Sequence, residues 1–263
     1  MVNLFVAAAL AAASPVMPDA PAAQPAMFKI EDSDTTIYLF GTFHALDGDA
    51  RWFDERVRAA FDQSDQLVLE TLLPEPGEPP QLFNRPLRAP SVTPSASVLA
   101  TTRMAINAGR SQGMRIDQGA DMVLRHVAEA AGKPVEGLET LEFQLNMFNK
   151  MRVASPAKAA RAAPPAAARS SDTLSRTMGE MQAAWKRGDQ AVFVHMLDQL
   201  RAGSPSTYKM MFTERNARWA DWVAARMRSP GVVFVAVGTG HLAGADSLLV
   251  RLAEKGIESR RVN

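Results

Sequence analysis

The amino-acid sequence predicts an α/β fold: a mixed central β-sheet with flanking helices and a largely helical middle segment that forms a cap or second lobe. Short apolar runs typical of buried strands alternate with helical patterns along the 263 residues. A hairpin pattern at 28–41 makes the sheet mixed rather than purely parallel. The strongest β-branched run, at 232–237, is typical of a central strand buried on both faces.

Each element has a local signature. The turn residues 32–34 separate two β-favouring runs and predict the hairpin. Phe53, Val57 and Phe61 recur on one face and predict the first helix. Further predicted strands lie at 66–70, 133–138 and 232–237, with a short one near the C-terminus. Predicted helices lie at 51–63, 96–112, 120–131, 140–151 and 242–255, and residues 172–227 are largely helical with breaks near Gly188 and at 203–205.

The chain divides into a leader and one domain. We interpret residues 1–26 as a signal-like leader with a Pro/Ala tether, and residues 27–263 as a single α/β domain whose helical lobe spans about 96–228. Residues 74–94 hold seven prolines and predict an extended segment, because proline fits neither a helix interior nor a central strand. Residues 153–171 are rich in Ala, Pro and Arg and predict a mobile loop.

The leader resembles a secretory signal. Residues 2–13 are apolar and alanine-rich, end in small residues, and are too few to span a bilayer as a stable helix. No Lys or Arg precedes this run, so the basic part of such a signal is missing. We expect an exported protein, periplasmic or otherwise extracytoplasmic, with no transmembrane helix in the mature chain.

Charge and cysteine content exclude several functions. The net charge is +1, with acidic and basic residues interspersed, so we expect no nucleic-acid partner. The chain has no cysteine, which excludes disulfides, thiolate metal sites and cysteine nucleophiles. Any metal ligands must therefore be His, Asp or Glu. The common metalloprotease, serine-hydrolase, phosphate-loop and dinucleotide motifs are absent.

Two segments of nearly the same sequence contain two of the four histidines. They are Y-L-F-G-T-F-H, which ends at His44, and V-A-V-G-T-G-H, which ends at His241. Both histidines directly follow a predicted strand, as do Glu70 and Glu139. Because the ligand crevice of an α/β sheet forms at the carboxyl ends of parallel strands, we expect these four residues to share one site. Two imidazoles and two carboxylates can hold a metal ion or transfer protons.

Structural interpretations of single residues remain open. A histidine after a strand can be a hydrogen-bonded loop residue, and Glu70 or Glu139 can be a carboxylate at a helix N-terminus. His126 and His195 lie within helical patterns and are interpreted as structural. Arg215 lies mid-helix among charged neighbours, so its pattern alone assigns it to a solvated face.

Six segments together carry a family resemblance. In chain order they are Y-L-F-G-T-F-H (38–44), L-V-L-E (67–70), G-K-P-V-E-G-L-E-T (132–140), W-K-R-G-D (185–189), E-R-N-A-R-W-A (214–220) and V-G-T-G-H-L-A-G (237–244). This set resembles the TraB/GumN family, which includes the Tiki proteins that cleave Wnt. The resemblance runs from about residue 28 to the C-terminus.

The resemblance implies a metal-dependent hydrolase that acts on peptide bonds. Its two histidines fall on His44 and His241, which with Glu70 would hold a divalent metal: manganese, cobalt or zinc. The metal-bound water would be the nucleophile. Glu70, Glu139 and Arg215 would be the catalytic residues, with Glu139 as a ligand or general base and Arg215 stabilising the oxyanion or orienting Glu70.

Two other functions fit the same residues. In the first, one histidine is the general base of a metal-independent, esterase-like hydrolase. In the second, the histidines bind haem or a small ligand and nothing is turned over. The wider superfamily is similar to erythromycin esterase and to a haem-binding lipoprotein, so the scaffold does not fix one chemistry. The expected partner is a peptide or small-molecule substrate.

Overall fold

A computed structural model describes residues 23–48, 51–72, 81–82, 85–86, 96–150 and 164–262 of the protein. The strands are β1 (Met27–Glu31), β2 (Thr35–Thr42), β3 (Gln66–Thr71), β4 (Gln81–Leu82), β5 (Arg85–Pro86), β6 (Val135–Glu139), β7 (Gly231–Gly238) and β8 (Arg260–Arg261). The helices are α1 (Glu55–Asp62), α2 (Ala96–Arg110), α3 (Ala120–Ala130), α4 (Leu141–Lys150), α5 (Pro164–Lys186), α6 (Ala191–Gly203), α7 (Pro205–Tyr208), α8 (Glu214–Arg226) and α9 (Leu248–Ala253). Shorter turns are the 3₁₀ turns Ile116–Gln118 and Thr239–Leu242 and the π-helical turn Lys209–Thr213.

Six strands form the central sheet in the order β6-β3-β7-β2-β1-β8. Strands β6, β3, β7 and β2 run parallel, whereas β1 is antiparallel to both β2 and β8. The predicted mixed sheet and α/β class are therefore confirmed. Strand β7 lies between β3 and β2, so the strand predicted as central is central. The four parallel strands bring their carboxyl ends to one edge of the sheet.

The predicted hairpin is formed by β1 and β2. In its turn, the Asp32 carboxylate accepts hydrogen bonds from the backbone N–H groups of Asp34 and Thr35, at 3.2 and 2.9 Å. Short acidic side chains commonly close a turn in this way. Ile30 then pairs with Ile37, and the second strand runs on to the first histidine motif.

Helices cover both faces of the sheet because both faces are apolar. Alternate residues of β2 divide between the two layers: Tyr38 and Phe40 pack in one and Leu39 packs in the other. The first layer contains residues of α1, α3, α5 and α6, and the second contains residues of α8 and α9. The indole N–H of Trp185 anchors α5 by donating to the Gly41 carbonyl at 2.7 Å.

Part of the segment predicted as a mobile loop is helical instead. Residues 164–171 belong to α5 rather than to a loop. The start of this helix is rich in alanine, which has the highest helix propensity, and Pro164 occupies the first position, where proline is favoured. Residues 153–163 of the same prediction lie outside the described residues.

The closing helix begins later than its pattern predicts. The apolar pattern starts at residue 242, but α9 begins at Leu248. Gly244 has a φ of +82°, a conformation that interrupts a helix. The Ser247 hydroxyl then caps the new helix by accepting a hydrogen bond from the backbone N–H of Val250 at 3.3 Å.

The predicted helical lobe also contributes to the sheet. Strand β6 lies inside the span 96–228 and pairs with β3. Most of the Pro-rich segment 74–94 lies outside the described residues, and β4 and β5 form an antiparallel pair within it. Residues 1–22 of the leader also lie outside, so export stays a prediction. Across the described ranges, no helix is both long and apolar enough to cross a bilayer.

Candidate functional site

The register of the sheet places the two histidine motifs side by side. Thr42 of β2 pairs with Gly238 of β7, so the loops that carry His44 and His241 leave neighbouring strands at the same level. Strands β3 and β6 deliver the two predicted glutamates to the same edge. The four polar residues that follow strands in the sequence therefore lie at one edge of the sheet.

Arg215 of α8 connects both glutamates with one histidine. Its Nη2 donates to Glu70 Oε2 at 2.8 Å, and its Nε lies 3.0 and 2.9 Å from the two carboxylate oxygens of Glu139. Its Nη1 lies 3.1 Å from Nε2 of His241. Arg218 adds a contact of 3.2 Å from Nη2 to Glu139 Oε1. Two carboxylates are thus matched by two guanidinium groups.

The assignment of Arg215 to a solvated face is wrong. The residue is only 3 % exposed, and its guanidinium carbon lies 4.6 Å from the centre of a Trp219 ring. Its burial is possible because two carboxylates compensate its charge. The π-helical turn Lys209–Thr213 directly precedes α8, and its Met211 carbonyl accepts from Nη1 of Arg215 at 3.4 Å. Such turns are frequent at functional sites.

His241 lies within this buried network. It is 5 % exposed, and its ring lies between those of Phe212 and Trp219, with centroid distances of 4.9 and 4.4 Å. Burial lowers the pKa of His241 to about 3; Glu70 opposes this shift and Arg215 adds to it. His241 is therefore a neutral imidazole at physiological pH.

Hydrogen-bond partners determine which nitrogen of His241 carries the proton. The Arg215 side chain can only donate, so Nε2 of His241 must accept. Nδ1 then carries the hydrogen and donates to Oδ1 of Asn216 at 2.7 Å. The Asn216 amide is oriented in turn because its Nδ2 donates to the Asp246 carbonyl at 2.7 Å. Both nitrogens of His241 are thus engaged within the protein.

His44 has the opposite environment. Its side chain is 62 % exposed, and its Nδ1 lies 3.3 Å from Oδ1 of Asp121 on α3. The Asp121 carboxylate raises the pKa of His44 above the ordinary 6.5 and outweighs the lowering effect of burial. Because the ring is largely open to water, solvent screens part of this attraction.

The glycine at the end of β7 marks the place where these groups converge. A Cβ on Gly238 would lie 3.1 Å from Glu70 Oε1, 3.5 Å from His44 Nε2 and 3.8 Å from His241 Cδ2. Because this position adjoins the Gly238 Cα, no ligand atom can occupy it; we call the space next to it, bordered by Glu70 Oε1 and His44 Nε2, the Gly238 point. The Gly238 N–H itself donates to Glu70 Oε1 at 2.6 Å. A Cβ at residue 238 would therefore crowd the Glu70 carboxylate and make ordinary contacts with both imidazoles.

Glu70 is held as a carboxylate. Its side chain is 13 % exposed, and burial alone would raise its pKa. The positive charges of Arg215 and His44, together with the Gly238 N–H, outweigh burial and lower the pKa of Glu70. Since His241 is neutral at physiological pH, Arg215 is the permanent cation of this group.

The predicted metal ligands do not offer three free donor atoms to one cation in this arrangement. Arg215 takes the lone pair of His241 Nε2, and each Glu70 oxygen already accepts one hydrogen bond, from Arg215 or from the Gly238 N–H. Within the described part of the chain, no group of three His, Asp or Glu residues is placed to hold a metal ion. The side chains as they lie do not fit a divalent metal, and metal binding stays a prediction.

Comparison with known proteins identifies the family. The sequence pattern of the TraB/PrgY/gumN family matches residues 26–85 and 84–261. The chain belongs to this family. The family resemblance drawn from six short segments is thereby confirmed over nearly the whole domain. Searches of curated proteins and of solved structures each gave no match.

Two polar residues of this cluster were not predicted from the sequence. Asn216 orients His241, and Asp121 contacts His44. Asn216 directly follows Arg215 in the segment E-R-N-A-R-W-A (214–220), so its place in that family-like segment could have marked it as a site residue. Asp121 is an acidic residue in the first turn of a helix, a common structural feature that does not distinguish it.

Proposed function

We propose that the protein is a hydrolase that cleaves a peptide bond or an ester at the Gly238 point. One observation carries the proposal: the cluster is asymmetric. Arg215 and His241 are buried, the two glutamates are partly buried, and the four satisfy one another, whereas His44 is exposed. Nε2 of His44 and Oε1 of Glu70 face the same point. Substrate and water can reach this imidazole, and a carboxylate lies beside it.

In the proposed reaction His44 is the general base. Hydrolysis requires a group that takes a proton from the attacking water and later gives one to the leaving group. The raised pKa of His44 means that the imidazole must first lose a proton, so activity should rise as pH rises through that pKa. Neutral His44 with its hydrogen on Nδ1, beside Asp121, then has its lone pair on Nε2, at the Gly238 point. The ionised Glu70 stabilises the imidazolium that forms when the proton is taken.

The buried residues act through Glu70. The Arg215 donors are engaged by two carboxylates, His241 and a carbonyl, so Arg215 orients Glu70 rather than contacting substrate. Both oxygens of Glu139 bind Arg215, which leaves Glu139 a supporting role and not that of a base. His241 accepts from Arg215 and fixes the direction of its guanidinium.

Metal-dependent peptide hydrolysis is the second candidate. It is favoured by the position of two predicted ligand atoms, His44 Nε2 and Glu70 Oε1, around the Gly238 point. His241 could join them only if it released Arg215. Manganese, cobalt and zinc all suit imidazole and carboxylate ligands.

A hydrolysis screen separates these candidates. Protein purified without chelators is assayed for metal content and incubated with a peptide library and with p-nitrophenyl esters. We expect cleavage that survives EDTA, is lost in His44→Ala and is kept in His195→Ala, an exposed histidine on α6. Cleavage that EDTA abolishes and manganese, cobalt or zinc restores would support the second candidate.

Absence of cleavage under all conditions would contradict both hydrolase candidates. The ligand-binding alternative would then be tested by mixing the protein with haem. A Soret band that His44→Ala abolishes would support it, because His44 is the exposed imidazole of the cluster.

We also propose that the protein is exported, because residues 2–13 form an apolar run that ends in small residues. Mature protein from the native host should begin between about Ala13 and Ala26, where small residues and the Pro/Ala tether lie. N-terminal mass spectrometry decides the question, and intact Met1 on protein from the cytoplasm would contradict it.

A further inference from the structure

Asp121 is the acidic residue that contacts the exposed imidazole. Its Oδ1 lies 3.3 Å from Nδ1 of His44 and has no hydrogen-bond partner among the described residues. The distance slightly exceeds a normal hydrogen bond, as is common for catalytic pairs without substrate. Among the described residues, the basic group that lies within ion-pair distance of this buried oxygen is His44.

The backbone builds this contact. Leu46 and Arg115 exchange two backbone hydrogen bonds, at 3.1 and 2.9 Å, and the N–H of Ala120 donates to the Phe43 carbonyl at 3.0 Å. The loop that carries His44 is thus clamped to the start of α3. The residue after Ala120 is Asp121, so these backbone bonds place its carboxylate beside the imidazole.

A glycine allows the two segments to approach closely. A Cβ on Gly119 would lie 2.4 Å from the carbonyl oxygen of His44, a distance that no side chain tolerates. Gly119 has an ordinary φ of −55°, so close approach and not backbone conformation requires glycine here. The contact of Asp121 with His44 therefore depends on a specific backbone fit.

The opposite end of the imidazole faces the site. While Nδ1 lies beside Asp121, Nε2 of His44 lies 3.5 Å from where a Cβ on Gly238 would be, and Glu70 Oε1 lies 3.1 Å from the same position, so both atoms border the Gly238 point. A carboxylate that accepts from Nδ1–H selects the tautomer with the lone pair on Nε2 and fixes the direction of the ring.

We infer that Asp121 is a positioning residue that holds His44 with its Nε2 lone pair directed at the Gly238 point. The inference rests on the proposed function, in which that lone pair takes the proton from water. Asp121 does not contact the reacting atoms; it acts through His44. The nearest analogue in chemistry is the carboxylate that orients the histidine of a catalytic triad.

The test combines kinetics with a measurement that needs no activity. Asp121→Ala should lower kcat about 10- to 100-fold with little change in KM, because substrate binding is intact but the base is misdirected. Asp121→Asn can donate to Nδ1 as well as accept from it, so it should also lower kcat and admit the wrong tautomer. Asp117→Ala removes a neighbouring exposed carboxylate that binds Arg115 and should have wild-type kinetics.

The ¹⁵N chemical shifts of the His44 ring report its tautomer directly, and His44→Ala assigns its signals among the four histidines. In its neutral form wild-type His44 should carry the proton on Nδ1, and Asp121→Ala should show a mixture with the Nε2–H form. Wild-type tautomer and wild-type kcat in Asp121→Ala would overturn the inference. If wild-type protein hydrolyses nothing, the proposed function fails, and the tautomer alone decides the role of Asp121. Should Asp121→Ala not fold, Asp121→Asn carries the same comparison.

Discussion

His44 and His241 end the same Gly-Thr-x-His motif and follow adjacent parallel strands at the same level. Their environments are nonetheless opposite. The His44 side chain is 62 % exposed and has a carboxylate beside it, which raises its pKa. His241 is 5 % exposed, and burial lowers its pKa to about 3. One imidazole is open to solvent, and the other is a neutral hydrogen-bond acceptor inside the protein.

The difference arises above the sheet. The helical layer over His241 supplies two aromatic rings, an amide and a guanidinium, all from α8 and the π-helical turn before it. The loop of His44 is tied instead to the start of α3, which supplies one carboxylate and leaves the ring open. A repeated motif after a strand thus sets where an imidazole lies, while the covering helices set its charge and its role.

The largest expected effect is that of His44→Ala on activity. Loss of the general base should lower kcat about 10²- to 10⁴-fold. The free energy of unfolding should change by less than about 1 kcal/mol, because the side chain is exposed and its ion pair is screened. Substrate turnover and urea unfolding measure the two effects. Full activity in a folded His44→Ala protein would remove His44 from the mechanism.

His241→Ala should show the reverse balance. The substitution leaves Asn216 and Arg215 with buried, unsatisfied groups and opens a cavity between Phe212 and Trp219. We expect a loss of about 3 kcal/mol in the free energy of unfolding, measured in urea. The exposed His195→Ala is the control and should unfold like wild type. A His241→Ala protein as stable as wild type would show that the network is not structural.

A smaller effect is the pH dependence of the stability that His241 contributes. His241 takes up a proton near pH 6.5 in the unfolded protein but only near pH 3 in the folded protein. Lowering the pH below 6.5 therefore stabilises the unfolded state and reduces the free energy of unfolding. The stability difference between wild type and His241→Ala should therefore shrink by roughly 1.5 kcal/mol between about pH 6.5 and about pH 5. That window lies above the range where Glu70 takes up a proton. A difference independent of pH would mean that the pKa of His241 is the same in the folded and the unfolded protein.

Sequence patterns predicted the edge of the sheet well. Local runs of β-favouring residues end at His44, Glu70, Glu139 and His241, and parallel pairing then brings the four together. The α8 pattern was misleading for Arg215, because its neighbours are charged and its burial depends on carboxylates 76 and 145 residues away in sequence. The helical period of apolar residues indicates which face of a helix is apolar. It does not indicate that a carboxylate far away in the sequence will compensate a buried charge.

The unequal roles of the two histidines could not be predicted for the same reason. Asp121 and Asn216 reach their imidazoles only through tertiary contacts, from the start of α3 and from α8. Neither contact leaves a periodic or spacing signal in the sequence. The close approach that requires Gly119 likewise becomes visible only once the loop of His44 lies against that helix.

The most direct test of the account is an NMR titration of both imidazoles in the wild-type protein, with His44→Ala and His241→Ala used for assignment. We predict that His44 titrates with a midpoint above 6.5, because Asp121 favours its charged form. His241 should keep a neutral ring with the proton on Nδ1 from about pH 5 to about pH 8, well above its depressed pKa. Titration of His241 near 6.5, or of His44 below it, would contradict the division of roles between the two histidines.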